Sequence, residues 1–295
     1  MGPTASGKSR IAHRLALGVG AHIVSADSMQ VYRGMDVGTA KPTRAEQAEV
    51  PYHLLDLVEP ETTFTVVDYQ AAARSALQSV DQSPVIVVGG SGLHFRSIVD
   101  GLDFPPHDPG LRAELEHATE EQRVAELLRL DPDAGDHVDL MNPRRVLRAL
   151  EVVILTGDAP SARRSRLRSY EPALSFVAFG LDPGDQLGPA IDRRLEAMME
   201  EGLLEEVAGL AGRLGRTASQ AVGYRQLLPV VRGEMGLEEG LAGTRQATMR
   251  LARSQRTLFR RDPRISWLPW ANEQSVLEQM RAAVFEAGSP ASGRR

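Results

Sequence analysis

Gly2, Pro3, Thr4, Ala5, Ser6, Gly7, Lys8 and Ser9 spell G-x-x-x-x-G-K-[ST], and no other stretch narrows the folds open to this chain as far. Such a loop turns its backbone N–H groups onto a di- or triphosphate, sets a lysine on the phosphates and offers a hydroxyl to Mg²⁺. Helix formers follow from Ser9 to Leu17, so the positive end of a helix faces the bound anion. An accidental glycine- and serine-rich turn would rarely carry a helix directly behind it. Of the 34 basic residues only Lys8 and Lys41 are lysine. In a chain this committed to arginine, a retained lysine marks a place that needs a compact, flexible point charge. A phosphate loop of this kind ordinarily follows a buried parallel strand, and here residue 2 already belongs to the loop. Either a strand lies upstream or the fold manages without it.

Downstream, strand and helix alternate. Ala21 to Ala26 reads as a short buried strand that delivers Asp27, Ser28, Met29 and Gln30 at its carboxyl end, the edge where open parallel sheets bind ligands. A strand around His53 to Val58 and a helix from Asp68 to Ser79 follow. Val85 to Val88 is a continuous apolar run of the kind found in central parallel strands, and it ends in Gly89-Gly90-Ser91-Gly92. The expected class is α/β, a P-loop core with a parallel sheet whose first strand is missing from the chain, plus a helical insertion domain. The insertion is announced by the breakers from Phe104 to Pro109 and continues, without a convincing strand, to about Ser169. One helix is expected over Leu111–Leu130, and another has Asn142 as N-cap, Pro143 in its first turn and Gly157 as terminator. Strand character returns at Phe176 to Leu181, followed by a long helix from Pro189 to Leu214, further helices to Arg261 and a closing strand at Ile265 to Trp270. The expected domains are core residues 1–104, insertion 105–174, core 175–286 with basic C-terminal helices, and a disordered tail 287–295.

Composition excludes several classes. There is no cysteine, hence no disulfide, thiolate zinc site or cysteine nucleophile. No apolar run is long enough to cross a membrane and no signal peptide is evident, so a cytoplasmic enzyme is expected. The net charge of −5 argues against binding nucleic acid over the whole surface, yet basic residues cluster locally. Seven arginines fall between Arg245 and Arg264 against Asp262 alone, and Arg163, Arg164, Arg166 and Arg168 form a second cluster.

Four blocks taken together resemble the tRNA dimethylallyltransferase (isopentenyltransferase) family, bacterial type. They are Gly2 to Ser9, Asp27-Ser28-Met29-Gln30 through Gly38-Thr39-Ala40-Lys41-Pro42, Val88-Gly89-Gly90-Ser91-Gly92-Leu93, and Ala221-Val222-Gly223-Tyr224-Arg225-Gln226. They occur in the family's order and span nearly the whole chain. The resemblance implies transfer of a dimethylallyl group from dimethylallyl diphosphate to N6 of the adenosine just 3′ of the anticodon, with Mg²⁺ as cofactor. It implies Asp27 as general base and Ser91 as an active-site hydroxyl. Arg145 and Arg194, with the loop from Gly2 to Ser9, are to hold the diphosphate, and Ser9 the Mg²⁺. Asp27 to Gln30, Ser91, Arg112, Arg144, Arg148, Gly223, Tyr224, Arg225, Arg253, Gln255, Arg256 and Arg260 are expected to meet the anticodon stem-loop of tRNA, which the insertion grips. A monomer is expected. His94 stands where the family pattern leads one to expect tyrosine.

The residues fit that chemistry on independent grounds. Breaking an allylic C–O bond to diphosphate needs the leaving group's charge stabilised, which calls for cations and Mg²⁺ rather than covalent catalysis. An exocyclic adenine amine is a poor nucleophile, so a carboxylate must take its proton. Arg250, Arg253, Arg256 and Arg260 recur every three or four residues, a stripe suited to a phosphate backbone. The competing readings are a transferase acting on free AMP, ADP or ATP, a small-molecule kinase in which Asp27 only orders Mg²⁺-bound water, and a non-catalytic RNA-binding module. The long insertion and the arginine stripe speak against the first, since a mononucleotide needs neither.

Overall fold

The computed structural model describes residues 1–162, 170–268 and 272–288, with side chains through residue 283. The arginine cluster 163–168, the last two residues of the expected closing strand and the tail from 289 onward lie outside the described residues. The chain divides into two compact units, one made of Met1–Gly101 with Pro172–Arg295, the other of Leu102–Glu171.

In the first unit α1 (Lys8–Val19) leads into β1 (His22–Ala26), α2 (Arg44–Glu49), β2 (Tyr52–His53), α3 (Val66–Ser79), β3 (Val85–Gly89) and α4 (Gly92–Val99). The three strands form a parallel sheet in the order β2-β1-β3. The apolar run Val85–Val88 is therefore an edge strand, not a central one, and its side chains are half-buried, whereas Ile23 to Ala26 of β1 are buried. A continuous apolar run reports that both faces of a strand are covered, not its rank in the sheet. The strand expected over residues 53–58 stops at His53, because Leu54 and Asp56 take left-handed backbone angles of φ 67° and 52° that no strand continues through.

After the second unit the chain returns through β4 (Ala178–Leu181), α8 (Leu187–Glu200), α9 (Leu203–Leu210), α10 (Tyr224–Val231), α11 (Leu237–Arg260), β5 (Ile265–Leu268) and α12 (Glu273–Gly288). Strands β4 and β5 pair in parallel as a separate two-stranded sheet. Met1 bonds to β4 through its N-terminal amine to Phe179 O at 2.6 Å and through its carbonyl from Leu181 N at 2.9 Å. A Cβ at Gly2 would lie 2.3 Å from Leu181 O, so this approach of loop to strand requires glycine. The single helix expected over 189–214 is two, because Gly202 at φ 94° ends the first and starts the second. The main core gathers Val24, Tyr32, Tyr69, Phe95, Val207, Tyr224 and Phe259.

The second unit is helical among its described residues: α5 (Pro109–Glu116), α6 (Glu120–Leu130) and α7 (Pro143–Thr156). They close over Leu127, Ala134, Val146, Leu150 and Val153. One helix was expected over 111–130. Thr119 instead caps α6 in a capping box with Gln122, a T-x-x-Q signature that starts a new helix. Asn142 caps α7 and Gly157 ends it, as its sequence signals require.

Candidate active site

Parallel strands present their carboxyl ends at one edge, and the register of β1 against β3 pairs Ala26 with Gly89. Asp27 and Ser91, each just beyond its strand, are thereby brought together, and Ser91 N donates to Ala26 O at 3.2 Å. The glycine-rich loop 2–7, the segment 38–43, residues 220–223 and α8 and α11 complete a cavity of about 730 Å³. Its wall holds Thr4, Lys8, Ser9, Asp27 to Gln30, Ser91, Arg194, Gly223 and Gln255 of the expected residues. Met198, Leu195, Leu251 and Leu258, which no motif had singled out, give it an apolar stretch.

Its electrostatics centre on three groups. Burial lowers the Lys8 pKa to about 8, and Arg194 pushes it down further while Asp27 opposes. Arg194 is likewise held below its ordinary value by burial, against Asp27 and Glu201. Lys8 and Arg194 thus share Asp27 as a counter-charge, with Glu201 acting on Arg194 as well. Asp27 Oδ1 accepts Met29 N at 2.8 Å, which fixes the carboxylate on the turn after β1. Thr4 N donates to Gln255 Oε1 at 2.8 Å, tying the loop to α11. Ser91 Oγ lies 2.6 Å from His94 Nδ1.

Several expected contact residues have other occupations. Gln30 is buried, takes a hydrogen bond from Ser25 Oγ at 2.6 Å and donates to Thr39 O and Ala40 O, so its amide shapes the 36–41 loop from the cavity wall. Tyr224 is 0% exposed and its hydroxyl donates to the Glu206 carboxylate, which also accepts Asp36 N, Val37 N and Gly38 N. Its side chain is therefore a brace for that loop and no RNA-facing surface. Glu206 lies about 170 residues from the loop it holds, beyond the reach of any local signal.

The arginines divide similarly. In the helical unit Arg148 donates to Pro105 O, Pro106 O and Glu151, and Arg112 lies 3.6 Å from the same carboxylate. Burial would raise Glu151, but the hydrogen bonds from Arg148, His107 and Asp108 N hold it below its ordinary value. Arg145 is exposed, 3.7 Å from Asp139, and Arg144 is exposed beside it. In the first unit Arg256 and Arg260 bond Asp182 at 2.6 and 3.0 Å, whereas Arg225, Arg250 and Arg253 are exposed and form no ion pair among the described residues. No helix among these residues is long and apolar enough to cross a membrane.

The IPP transferase family model matches residues 30–262. The chain is 43% identical over 287 residues to a tRNA dimethylallyltransferase of Bifidobacterium longum, covering 94% of this chain and 87% of that protein. It is 46% identical to a tRNA dimethylallyltransferase of Thermobifida fusca, covering 97% and 93%. Among solved structures, the tRNA isopentenylpyrophosphate transferase of Bacillus halodurans superimposes with a TM-score of 0.71 at 32% identity, over 97% of this chain and 94% of that one.

Proposed function

The chain belongs to the IPP transferase family, and from that premise we propose that it transfers a dimethylallyl group from dimethylallyl diphosphate to N6 of the adenosine 3′-adjacent to the anticodon of tRNA. The products are N6-dimethylallyladenosine in tRNA and diphosphate. The observation that carries the reading is the grouping of Lys8, Arg194 and Asp27 in one cavity beside the glycine-rich loop.

In this reading the loop amides from Gly2 to Ser9 cradle the diphosphate as a P-loop. Lys8 and Arg194, each destabilised as a buried cation, gain a counter-charge when the diphosphate binds, and gain most as the C–O bond breaks and charge builds on the leaving oxygens. The apolar wall of Leu195, Met198, Leu251 and Leu258 receives the prenyl chain and keeps water from the allylic carbon. Asp27 accepts a proton from the amine as its nitrogen bonds that carbon, while Ser91 positions the amine. Among the described residues no three His, Cys, Asp or Glu side chains could hold a metal together. Ser9 offers a hydroxyl oxygen at the cavity wall. That suits Mg²⁺, which draws most of its ligands from phosphate and water, and Ser9 would hold it. The ion supplies charge neutralisation on the leaving group.

The acceptor base must leave its stack to reach Asp27. Arg225, Arg250 and Arg253 of the first unit are exposed cations proposed to meet the anticodon stem-loop, and so is Arg144 of the helical unit. Arg256 and Arg260, both braced on Asp182 and the latter over the Trp267 ring, continue the row of arginines on α11. The test is Asp27→Ala, expected to keep tRNA binding and abolish prenyl transfer; a variant that turns over normally sinks the base assignment.

A further inference from the structure

Ser91 is the N-cap residue of α4. A serine in that position ordinarily caps the helix by accepting a backbone N–H two or three residues on. Ser91 makes no such bond, and its hydroxyl turns to the His94 ring at 2.6 Å. The ring itself is fixed. Tyr69 stands edge-on to it with centroids 4.4 Å apart at 84°, and Tyr69 is anchored by its hydroxyl on Ser25 O at 2.5 Å, two residues before Asp27. The groups facing His94 are thus Ser91, Tyr69 and, through its field, Asp27.

A hydroxyl and an imidazole nitrogen at this distance share one hydrogen. The ring nitrogen is the stronger base, so O–H···N is the better arrangement. Burial supports it by keeping the ring neutral, lowering its pKa to about 4 against the pull of Asp27. With the Ser91 proton directed at Nδ1, the serine oxygen can present only lone pairs to the cavity.

We propose that His94 is a specificity-determining positioning residue, which locks Ser91 as a hydrogen-bond acceptor and so selects an exocyclic amine over a carbonyl at the acceptor base. The inference rests on the reading of Asp27 and Ser91 given under Proposed function. A –NH2 group offers two hydrogens and meets two acceptors, the Asp27 carboxylate and the Ser91 oxygen. A 6-oxo base such as inosine meets the same two acceptors with a third, and an unlocked serine would rotate to accommodate it.

The experiment has two parts. In wild-type protein labelled with ¹⁵N-histidine, the His94 Nδ1 resonance is expected in the unprotonated range and Nε2 in the protonated range; a protonated Nδ1 overturns the proposal without any variant. Competition binding then compares anticodon stem-loop RNAs carrying adenosine or inosine at the target position. His94→Leu is expected to shrink the preference for adenosine about tenfold, the cost of one mismatched polar contact, and to shrink it no further in a Ser91→Ala background. An unchanged preference, or an equal effect of His94→Leu with and without Ser91, also overturns it. Prenyl transfer unaffected by Ser91→Ala contradicts the active-site reading itself, and this inference with it.

Discussion

Lys8 and Lys41, the two lysines of the chain, sit in two loops that wall the same cavity, and they are employed in opposite ways. The side chain of Lys41 is 2% exposed, and its ammonium meets Tyr32 O at 2.9 Å, Asp36 Oδ1 at 2.5 Å and Asp56 Oδ1 at 2.7 Å. Its three donors all have acceptors, so nothing is left for a ligand. Lys8 donates to Pro3 O at 3.1 Å and has donors in reserve, in a setting that disfavours its charge. A loop whose polar groups satisfy one another is a rigid wall; a loop whose cation is under-satisfied is a site waiting for an anion. The same residue type closes a loop in one place and keeps donors in reserve in the other, and the count of its partners separates the two.

Removing each ammonium gives the sharpest contrast. Lys8→Met is expected to lower kcat for prenyl transfer by about 10²–10³-fold, the usual cost of losing one charge-stabilising donor, with the thermal midpoint unchanged or raised. Lys41→Met should do the reverse. Two carboxylates and a carbonyl lose their shared donor, so urea denaturation should show a loss of about 2–4 kcal/mol, with diphosphate affinity retained by the folded fraction. If Lys41→Met abolished diphosphate binding in a fully folded protein, the contrast would fail. A smaller effect is expected at Glu206→Gln, which weakens the hold on the backbone N–H groups of Asp36, Val37 and Gly38. It should cost about 1–2 kcal/mol and raise hydrogen exchange at those three amides, leaving the amides of the 2–9 loop untouched.

Much of this difference cannot be read locally. The reading of the Gly2–Ser9 loop rests on spacing within eight residues, and the placement of Asp27 and Ser91 follows from strands that end at one sheet edge. The capping signals of α7 were read correctly for the same reason. Lys41, Gln30 and Tyr224 lie within motifs, but their roles depend on Asp56, Thr39 and Glu206, partners that only the folded chain brings near. The Thr119–Gln122 capping box and the Gly202 break are both present in the sequence, inside spans expected as single helices. Rank in the sheet was not legible at all, since β3 (VIVVG) carries the longer apolar run and pairing alone makes β1 (HIVSA) central.

The same contrast carries into pH dependence. Lys8 titrates at about 8 in the folded protein against 10.5 for an ordinary lysine. Between these values the unfolded chain binds the extra proton, so the stability of the ligand-free protein should rise with pH across that window, by about 1.4 kcal/mol per unit of pKa difference at most. Diphosphate affinity should fall over the same range as the cation is lost, and both slopes should vanish in Lys8→Met. A slope that persists in that variant places the titrating group elsewhere.

The most direct measurement is prenyl transfer from radiolabelled dimethylallyl diphosphate with Mg²⁺, offered unmodified tRNA in one reaction and AMP or ATP in others. The account predicts label in tRNA alone, abolished by Lys8→Met and by Asp27→Ala. Label in the mononucleotide, or transfer to tRNA that survives loss of both side chains, would contradict it.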